Sequence, residues 1–434
     1  MKDMVNICWL RRDLRLHDNA ALYYALKAGD PVVPVFVFDS NILNDLENRE
    51  DKRVTFIYEA LEEIQTELEK LGSTLDIYFG TPQEAFEHYT TRYEVRGVYT
   101  NHDYEPYARK RDEEIRAYLG KKEITFQTYK DQVIFEKNEI VKDNGEPYSV
   151  FTPYSRRWLD KLNDFYLKSY PVEKYKKHFH QQKPIKSPTL KQMNFKETEK
   201  HFPAKSVKEE IIRHYDQTRD FPGINGTSRL GIHLRFGTIS IRELATTAKS
   251  LNQTYLKELI WREFYMTILW HYPQVVENSF RKEYDGIQWR NNEQEFARWC
   301  EGQTGYPIVD AGMRELNATG FMHNRVRMVV ASFLTKHLLI DWRWGEAYFA
   351  VKLLDYDLAA NNGGWQWAAG CGNDAAPYFR VFNPHLQTQK FDKDLKYIRK
   401  WVPEYDGLQY VQPMVVHEMA RKRALEVYGK ALKK

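Results

Sequence analysis

Glu258, Trp261, Arg262 and Tyr265 stand at i, i+3, i+4 and i+7 of one run whose other positions are mostly apolar. That spacing puts the four side chains on one face of a helix and turns the rest inward. A solvated face would carry Lys, Glu and Gln; a Trp and a Tyr flanking an Arg and a Glu suit gripping something flat and polar, such as a base. The other reading is a seam between helices with one ion pair, and this helix alone leaves both open. Nine of the eleven tryptophans lie between Trp261 and Trp401, several beside Gly, Asn, Arg or Asp. A buried indole needs a partner for its N–H, so such crowding is poor core design. It points to a region that holds a flat aromatic ligand, stacks bases or conducts electrons. Thr319 to Met328 places Asn324 and Arg325 after a glycine at a helix start, an anion site or a surface ion pair. Asn225 to Leu230 offers a Gly turn and consecutive hydroxyls, an N-cap or a phosphate cradle.

The elements that must position these residues divide the chain. At 434 residues it exceeds one ordinary core, so two domains are expected. Strand patterns at 5–10, 32–38, 74–79, 95–100 and 124–129 alternate with helical patterns at 19–28, 51–71, 82–93 and 104–119. This alternation predicts an α/β domain over 1–130 with a doubly wound parallel sheet. The loop from Arg11 to Asn19 has no Gly-x-Gly-x-x-Gly turn, which disfavours a standard dinucleotide site there. From 131 to 205 the pattern loosens into Lys- and Pro-rich stretches, read as a solvated inter-domain linker. Beyond 206 the strands vanish, and helical segments at 207–218, 241–249, 255–272, 293–301, 307–320, 324–340 and 344–354 predict an all-α domain over 206–434.

Bulk composition narrows the class. No apolar run is long enough to cross a bilayer, and the N-terminus lacks a signal-peptide stretch. Cys8, Cys300 and Cys371 are far apart and lack metal-ligand spacing, which fits a reduced, cytoplasmic protein without disulfides or metal. The formal net charge of +4 is compatible with DNA binding without predicting it.

Six segments in order carry a resemblance: Trp9 to Arg15, Gly226 to Leu230, Glu258 to Tyr265, Thr304 to Asp310, Met322 to Met328 and Asp357 to Ala369. The chain resembles the DNA photolyase/cryptochrome family over nearly its whole length, most closely the class I cyclobutane pyrimidine dimer photolyases. The resemblance implies FAD in the helical domain, active as its reduced anion. Tyr215, Thr227, Ser228, Arg229, Leu230, Tyr255, Arg327, Asp355, Tyr356, Asp357 and Asn361 would bind it, with Asn361 beside flavin N5. Trp365, Trp342 and Trp289 match the family's electron-transfer chain. Glu258 matches the residue that hydrogen-bonds the lesion and stabilises its radical anion. Trp261, Arg262, Tyr265, Asn324, Arg325, Met328, Trp367 and Gln387 match the remaining lesion and backbone contacts.

The implied activity is that of a carbon–carbon lyase: reduced flavin absorbs light, passes an electron to a flipped-out dimer, the ring splits and the electron returns. The implied partner is damaged DNA, single- or double-stranded, met by a monomer. Members of the family bind a folate, a deazaflavin, a second flavin or no antenna. Glu105 falls where folate-binding relatives carry a glutamate, but 42–53 departs from their pattern, so methenyltetrahydrofolate is not the favoured antenna. Rival readings are a cryptochrome photosensor, a (6-4) photolyase and a generic nucleotide-binding α/β protein. The basic ending at Lys433 and Lys434, with no long extension past the last motif, favours repair over signalling. A (6-4) enzyme's lesion site usually carries paired histidines, whereas this chain has Asn324 directly after His323 and Met328 further on, and a generic α/β protein leaves the Trp-rich helices unexplained.

Overall fold

The computed structural model describes residues 3–432. Its contacts form two compact units. One takes the chain up to Glu136, Leu162–Ser206 and Arg229–Thr247; the other takes Lys137–Lys161, Val207–Ser228 and the chain from Ala248 on. The stretch 131–205, expected as a linker, is therefore shared between the units. The Lys433–Lys434 ending lies outside the described residues.

In the first unit β1 (Met4–Leu10), β2 (Val32–Asp39), β3 (Asp76–Gly80), β4 (Glu94–Asn101) and β5 (Thr125–Tyr129) make one parallel sheet in the order β3-β2-β1-β4-β5. The five strands stand where the patterns place them. β1 and β2 are buried almost throughout, which is why they read as near-continuous apolar runs. Between the strands lie α1 (Ala20–Lys27), α2 (Lys52–Lys70), α3 (Pro82–Arg92) and α4 (Pro106–Gly120). Local sequence sets their starts. Asn19 caps α1, Asp51 caps α2, and Thr81 with Glu84 forms a reciprocal capping box ahead of α3.

Strand order reverses between β1 and β4, where open α/β sheets usually take a ligand. Here the chain's own side chains meet: Asn101 Nδ2 donates to Asp13 Oδ2 at 2.5 Å and to Asn19 Oδ1 at 2.9 Å. Beside them lies a buried set of two cations and two anions. Arg15 donates to Asp131 at 2.6 Å, and Arg242 donates to Asp18 at 2.9 Å and to Asp131 at 2.7 Å. Burial alone would push the Asp131 carboxyl up, but Arg15 and Arg242 together hold it below its usual value.

The second unit has no β-strand among its described residues. Its helices include α5 (Phe151–Lys161), α6 (Gln253–His271), α7 (Pro307–Thr319), α8 (Asn324–Ser332), α9 (Trp342–Lys352), α10 (Leu358–Ala369), α11 (Pro384–Phe391) and α12 (His417–Leu432). α5 falls inside the segment read as irregular; its buried Phe151, Tyr154 and Trp158 lie at i, i+3 and i+7, a stripe hidden among flanking Lys and Pro. The helix expected over 324–340 stops at Ser332 and passes into a π-helical turn, Phe333–His337. The wider turn carries two buried polar residues to partners beyond the helix: Lys336 Nζ donates to Tyr378 O at 2.8 Å, and His337 Nε2 meets His417 Nδ1 at 2.8 Å.

Two glycines set how closely three of these helices approach. A Cβ on Gly345 of α9 would come within 2.1 Å of the Trp365 indole of α10. A Cβ on Gly363 of α10 would come within 2.1 Å of the Tyr265 ring of α6.

Asp131→Asn leaves Arg15 and Arg242 with one carboxylate between them. It is expected to lower unfolding free energy by roughly 3–5 kcal/mol, as for other broken buried ion pairs. Adding Arg242→Met should recover part of that loss by removing the stranded charge. Denaturant titration of the two variants checks both. Because the Asp131 carboxyl is held down in the folded state, its contribution is complete above the ordinary carboxylate range and is lost as pH falls through the folded value.

Candidate active site

Within the second unit one cavity of about 440 Å3 opens among α6, α8, α9, α10 and the segment following the short helix Tyr215–Thr218. That size lies in the range of cofactor and ligand sites. On α6 the half-buried residues at the cavity are Glu258, Trp261, Arg262 and Tyr265, the four of the predicted face. Their neighbours Leu256, Leu259, Ile260, Glu263 and Phe264 are buried, as the periodicity requires. The seam reading gives way here, because this face borders open space.

Trp261 is held from behind. Its indole stacks on the Phe151 ring with centroids 3.7 Å apart and planes 6° from parallel. A stacked ring on one face leaves the indole a fixed platform for a flat group. Glu258 Oε1 accepts a hydrogen bond from the Arg219 guanidinium, and Asp220 Oδ1 accepts from Arg325 Nη2 at 2.6 Å. Burial pushes the Glu258 carboxyl up, Arg219 pulls it down and Asp220 raises it again; the net direction is upward.

On α8 Asn324, Arg325, Arg327 and Met328 line the cavity. Arg327 Nη2 reaches both oxygens of Asp355, at 2.9 and 3.1 Å, while its Nε donates to Met322 O at 2.7 Å. Asp355, Tyr356 and Asp357 follow one another along the wall, and Asp357 also caps α10 by accepting from Ala360 N. Asn361 lies one turn on. Its Nδ2 donates to Glu346 O at 3.1 Å and to Glu346 Oε1 at 2.9 Å, which fixes the amide's orientation. Burial pushes the Glu346 carboxyl up, and the Asn361 hydrogen bond partly offsets it.

Of the predicted cofactor residues Tyr215, Thr227, Arg327, Asp355, Tyr356, Asp357 and Asn361 are brought to this cavity. Tyr255 is buried behind them, donates to Ser228 Oγ at 2.9 Å and packs edge-on against Tyr215. Burial pushes its hydroxyl up to about 12. Arg229 and Leu230 belong to the first unit, and Arg229 takes a left-handed φ of 54°. Of the predicted lesion residues all but Gln387 line the cavity. Gln387 sits on α11 with its Oε1 buried and without a hydrogen-bond partner among the described residues.

Trp365 lies on the wall itself, Trp342 is buried at the start of α9, and Trp289 is half-buried beside the Tyr428 ring, 5.9 Å between centroids. The indole N–H groups of Trp365 and Trp342 are buried without an acceptor among the described residues.

Residues the sequence reading missed complete the wall: Arg219, Asp220, Ala331, Phe349, Leu353, Ala360 and Gly364. Phe349, one turn after Glu346, lies on α9 and Leu353 directly follows its end, and both fall inside the helical segment expected over 344–354, so helical spacing could have found them. Nothing in the sequence singles out Arg219 and Asp220.

The set fits a flavin dinucleotide. Phe349, Leu353, Ala331, Ala360 and Trp365 give apolar walls, while Arg327 with Asp355, Asn361 and Thr227 give a few convergent polar anchors. A Cβ on Gly364 would meet nothing within 4 Å, so that stretch of wall is backbone open to a ligand. No group of His, Cys, Asp or Glu among the described residues could hold a metal ion, and no helix there is long and apolar enough to cross a membrane. In the first unit Glu105 accepts from Arg12 at 2.9 Å and from Arg235, so its carboxylate is already shared by two guanidiniums.

Comparison with known proteins matches residues 6–174 to the DNA photolyase family model and residues 255–409 to the FAD binding domain of DNA photolyase. A deoxyribodipyrimidine photo-lyase of Synechococcus is 38% identical over 93% of this chain and 88% of its own length. A class III photolyase from Agrobacterium tumefaciens superposes with a TM-score of 0.88 at 32% identity, covering 100% of this chain and 99% of that one. A photolyase from Sulfolobus tokodaii, solved with two FAD molecules, gives 0.82 at 34% identity over 99% of this chain and all of that one. By sequence over its whole length, by fold and by the walls of its cavity, this chain belongs to the DNA photolyase family.

Proposed function

We propose that this protein uses light to split cyclobutane pyrimidine dimers in DNA, acting as a monomer in the cytoplasm on single- or double-stranded substrate. One observation carries the reading. A single cavity is lined both by the residues matched to FAD and by those matched to the lesion, so cofactor and substrate would share one desolvated space. Reduced FAD, when bound and excited, supplies an electron to the dimer and takes it back after the ring opens.

The chain's own residues do the rest. Enzymes that act on a base, photolyases among them, first take it out of the stack, which costs less at a damaged site. Trp261, backed by Phe151, offers a flat seat to the extruded bases, with Trp367 and Met328 lining the same cavity. Arg262, Asn324 and Arg325 supply donors to lesion and backbone, and cations of this kind give sequence-independent, salt-sensitive affinity. Glu258 contacts the dimer where negative charge develops. Asn361, whose amide is fixed by Glu346, would sit beside N5 of the bound flavin. Trp365, Trp342 and Trp289 form the route by which an electron reaches the cavity. With no acceptor among the described residues for the N–H protons of the inner two, an oxidised indole keeps its proton there and the hole moves on to Trp289, which meets solvent.

Dimer-containing oligonucleotide should be repaired only under near-ultraviolet or blue light, after dark binding, and undamaged strands should be unaffected. Failure of lit, chemically reduced holoprotein to remove dimers overturns the reading. Glu258→Ala should retain flavin and lower dimers split per absorbed photon by roughly tenfold, about 1.4 kcal/mol of lost stabilisation. Trp342→Phe should abolish light-driven reduction of oxidised flavin with an external thiol, read from flavin bleaching, and leave repair by chemically reduced protein intact.

A further inference from the structure

The free protein holds Glu258 in a state unsuited to its place beside the lesion. Its carboxylate accepts from Arg219, and an ionised carboxylate has no proton to donate to a pyrimidine carbonyl. A fixed negative charge also opposes arrival of an electron on a neighbouring group, strongly so away from water. Yet the counter-charge is only borrowed. Arg219 and Glu258 are each about one-third exposed, at 35% and 33%, and both line the cavity. DNA brings phosphates, which suit a guanidinium's forked donors at least as well as a carboxylate does.

We propose that seating the lesion strand transfers Arg219 from Glu258 to a DNA phosphate, and that Glu258 then takes one proton from solvent and donates it as a hydrogen bond to the lesion. This rests on the repair reading above. The balance is simple: Arg219 stays cationic and exchanges one anion for another, the carboxylate gains one proton from bulk water, and no electron moves. With Arg219 gone, burial and the Asp220 charge both favour the neutral acid.

The other groups around Glu258 do not share the response. Burial pushes the Tyr215, Tyr255 and Tyr265 hydroxyls up, so they stay neutral throughout. Arg325 keeps Asp220 and Arg327 keeps Asp355 as partners. Arg262 shares the α6 face and is cationic at every relevant pH. Asp374 and Glu258 both raise the Tyr265 hydroxyl further. His214 meets Glu210 at 2.6 Å, and His323 accepts from Arg325 N at 3.2 Å.

Titration calorimetry of the holoprotein in the dark, with a duplex carrying one dimer and in buffers of different ionisation heat, tests this. Uptake of about one proton per lesion bound is expected near neutral pH, with none for the undamaged duplex. Because the acid is favoured in the complex, lesion affinity should fall by up to about tenfold per pH unit as pH rises. In Glu258→Gln, whose amide can donate without taking a proton, uptake should vanish. In Arg219→Ala the cation that favours the ionised carboxylate is missing before DNA arrives, so uptake should fall and the affinity flatten with pH. Lesion binding without proton uptake, or equal uptake in the parent and Glu258→Gln, overturns the proposal while leaving repair standing. A parent that does not distinguish the dimer from undamaged DNA overturns both.

Discussion

Everything at the cavity depends on how near three helix backbones come to one another. α9, α10 and α6 meet at Gly345 and Gly363, where any side chain would collide with the Trp365 indole or the Tyr265 ring. The absence of two Cβ atoms lets an indole on one side and a phenol on the other stand against the same small space. Larger residues there would splay the helices by ångströms, and close-packed interiors do not absorb such a change without moving whole side chains. The cavity is thus a consequence of backbone approach, and its aromatic walls follow.

The second constraint is electrostatic. A space walled by Trp365, Phe349 and Leu353 makes every charge on its rim costly unless paired. The wall accordingly carries its charges in couples: Arg219 with Glu258, Arg325 with Asp220, Arg327 with Asp355. Of these couples the first is the one a polyanionic substrate can exchange, while Arg325 with Asp220 and Arg327 with Asp355 stay paired. Asn361, tied to Glu346, belongs to the same economy, since a neutral amide held in place can serve a ligand without adding charge.

Much of this was legible in the chain. The five strands announce themselves because central parallel strands are apolar throughout, and Glu258, Trp261, Arg262 and Tyr265 are spaced as a helix face must be. What escaped did so for physical reasons. Arg219 and Asp220 follow a four-residue helix with no periodicity, and only tertiary structure sets them opposite Glu258 and Arg325. Phe151 was hidden because α5 sits in a stretch whose lysines and prolines mask its buried stripe. The π-helical turn at Phe333–His337 was unreadable because it answers to Tyr378 and His417, distant in sequence. Gln387 came from likeness alone, and it does not line the cavity.

The central claim is that cofactor and lesion occupy one cavity in electron-transfer contact. The most direct measurement is the fluorescence lifetime of fully reduced flavin in the holoprotein, with dimer-containing and with undamaged oligonucleotide. Transfer to a touching dimer competes with emission, so the lifetime should shorten with the dimer and stay unchanged with intact DNA. An unchanged lifetime in protein shown to have bound the dimer would contradict the account.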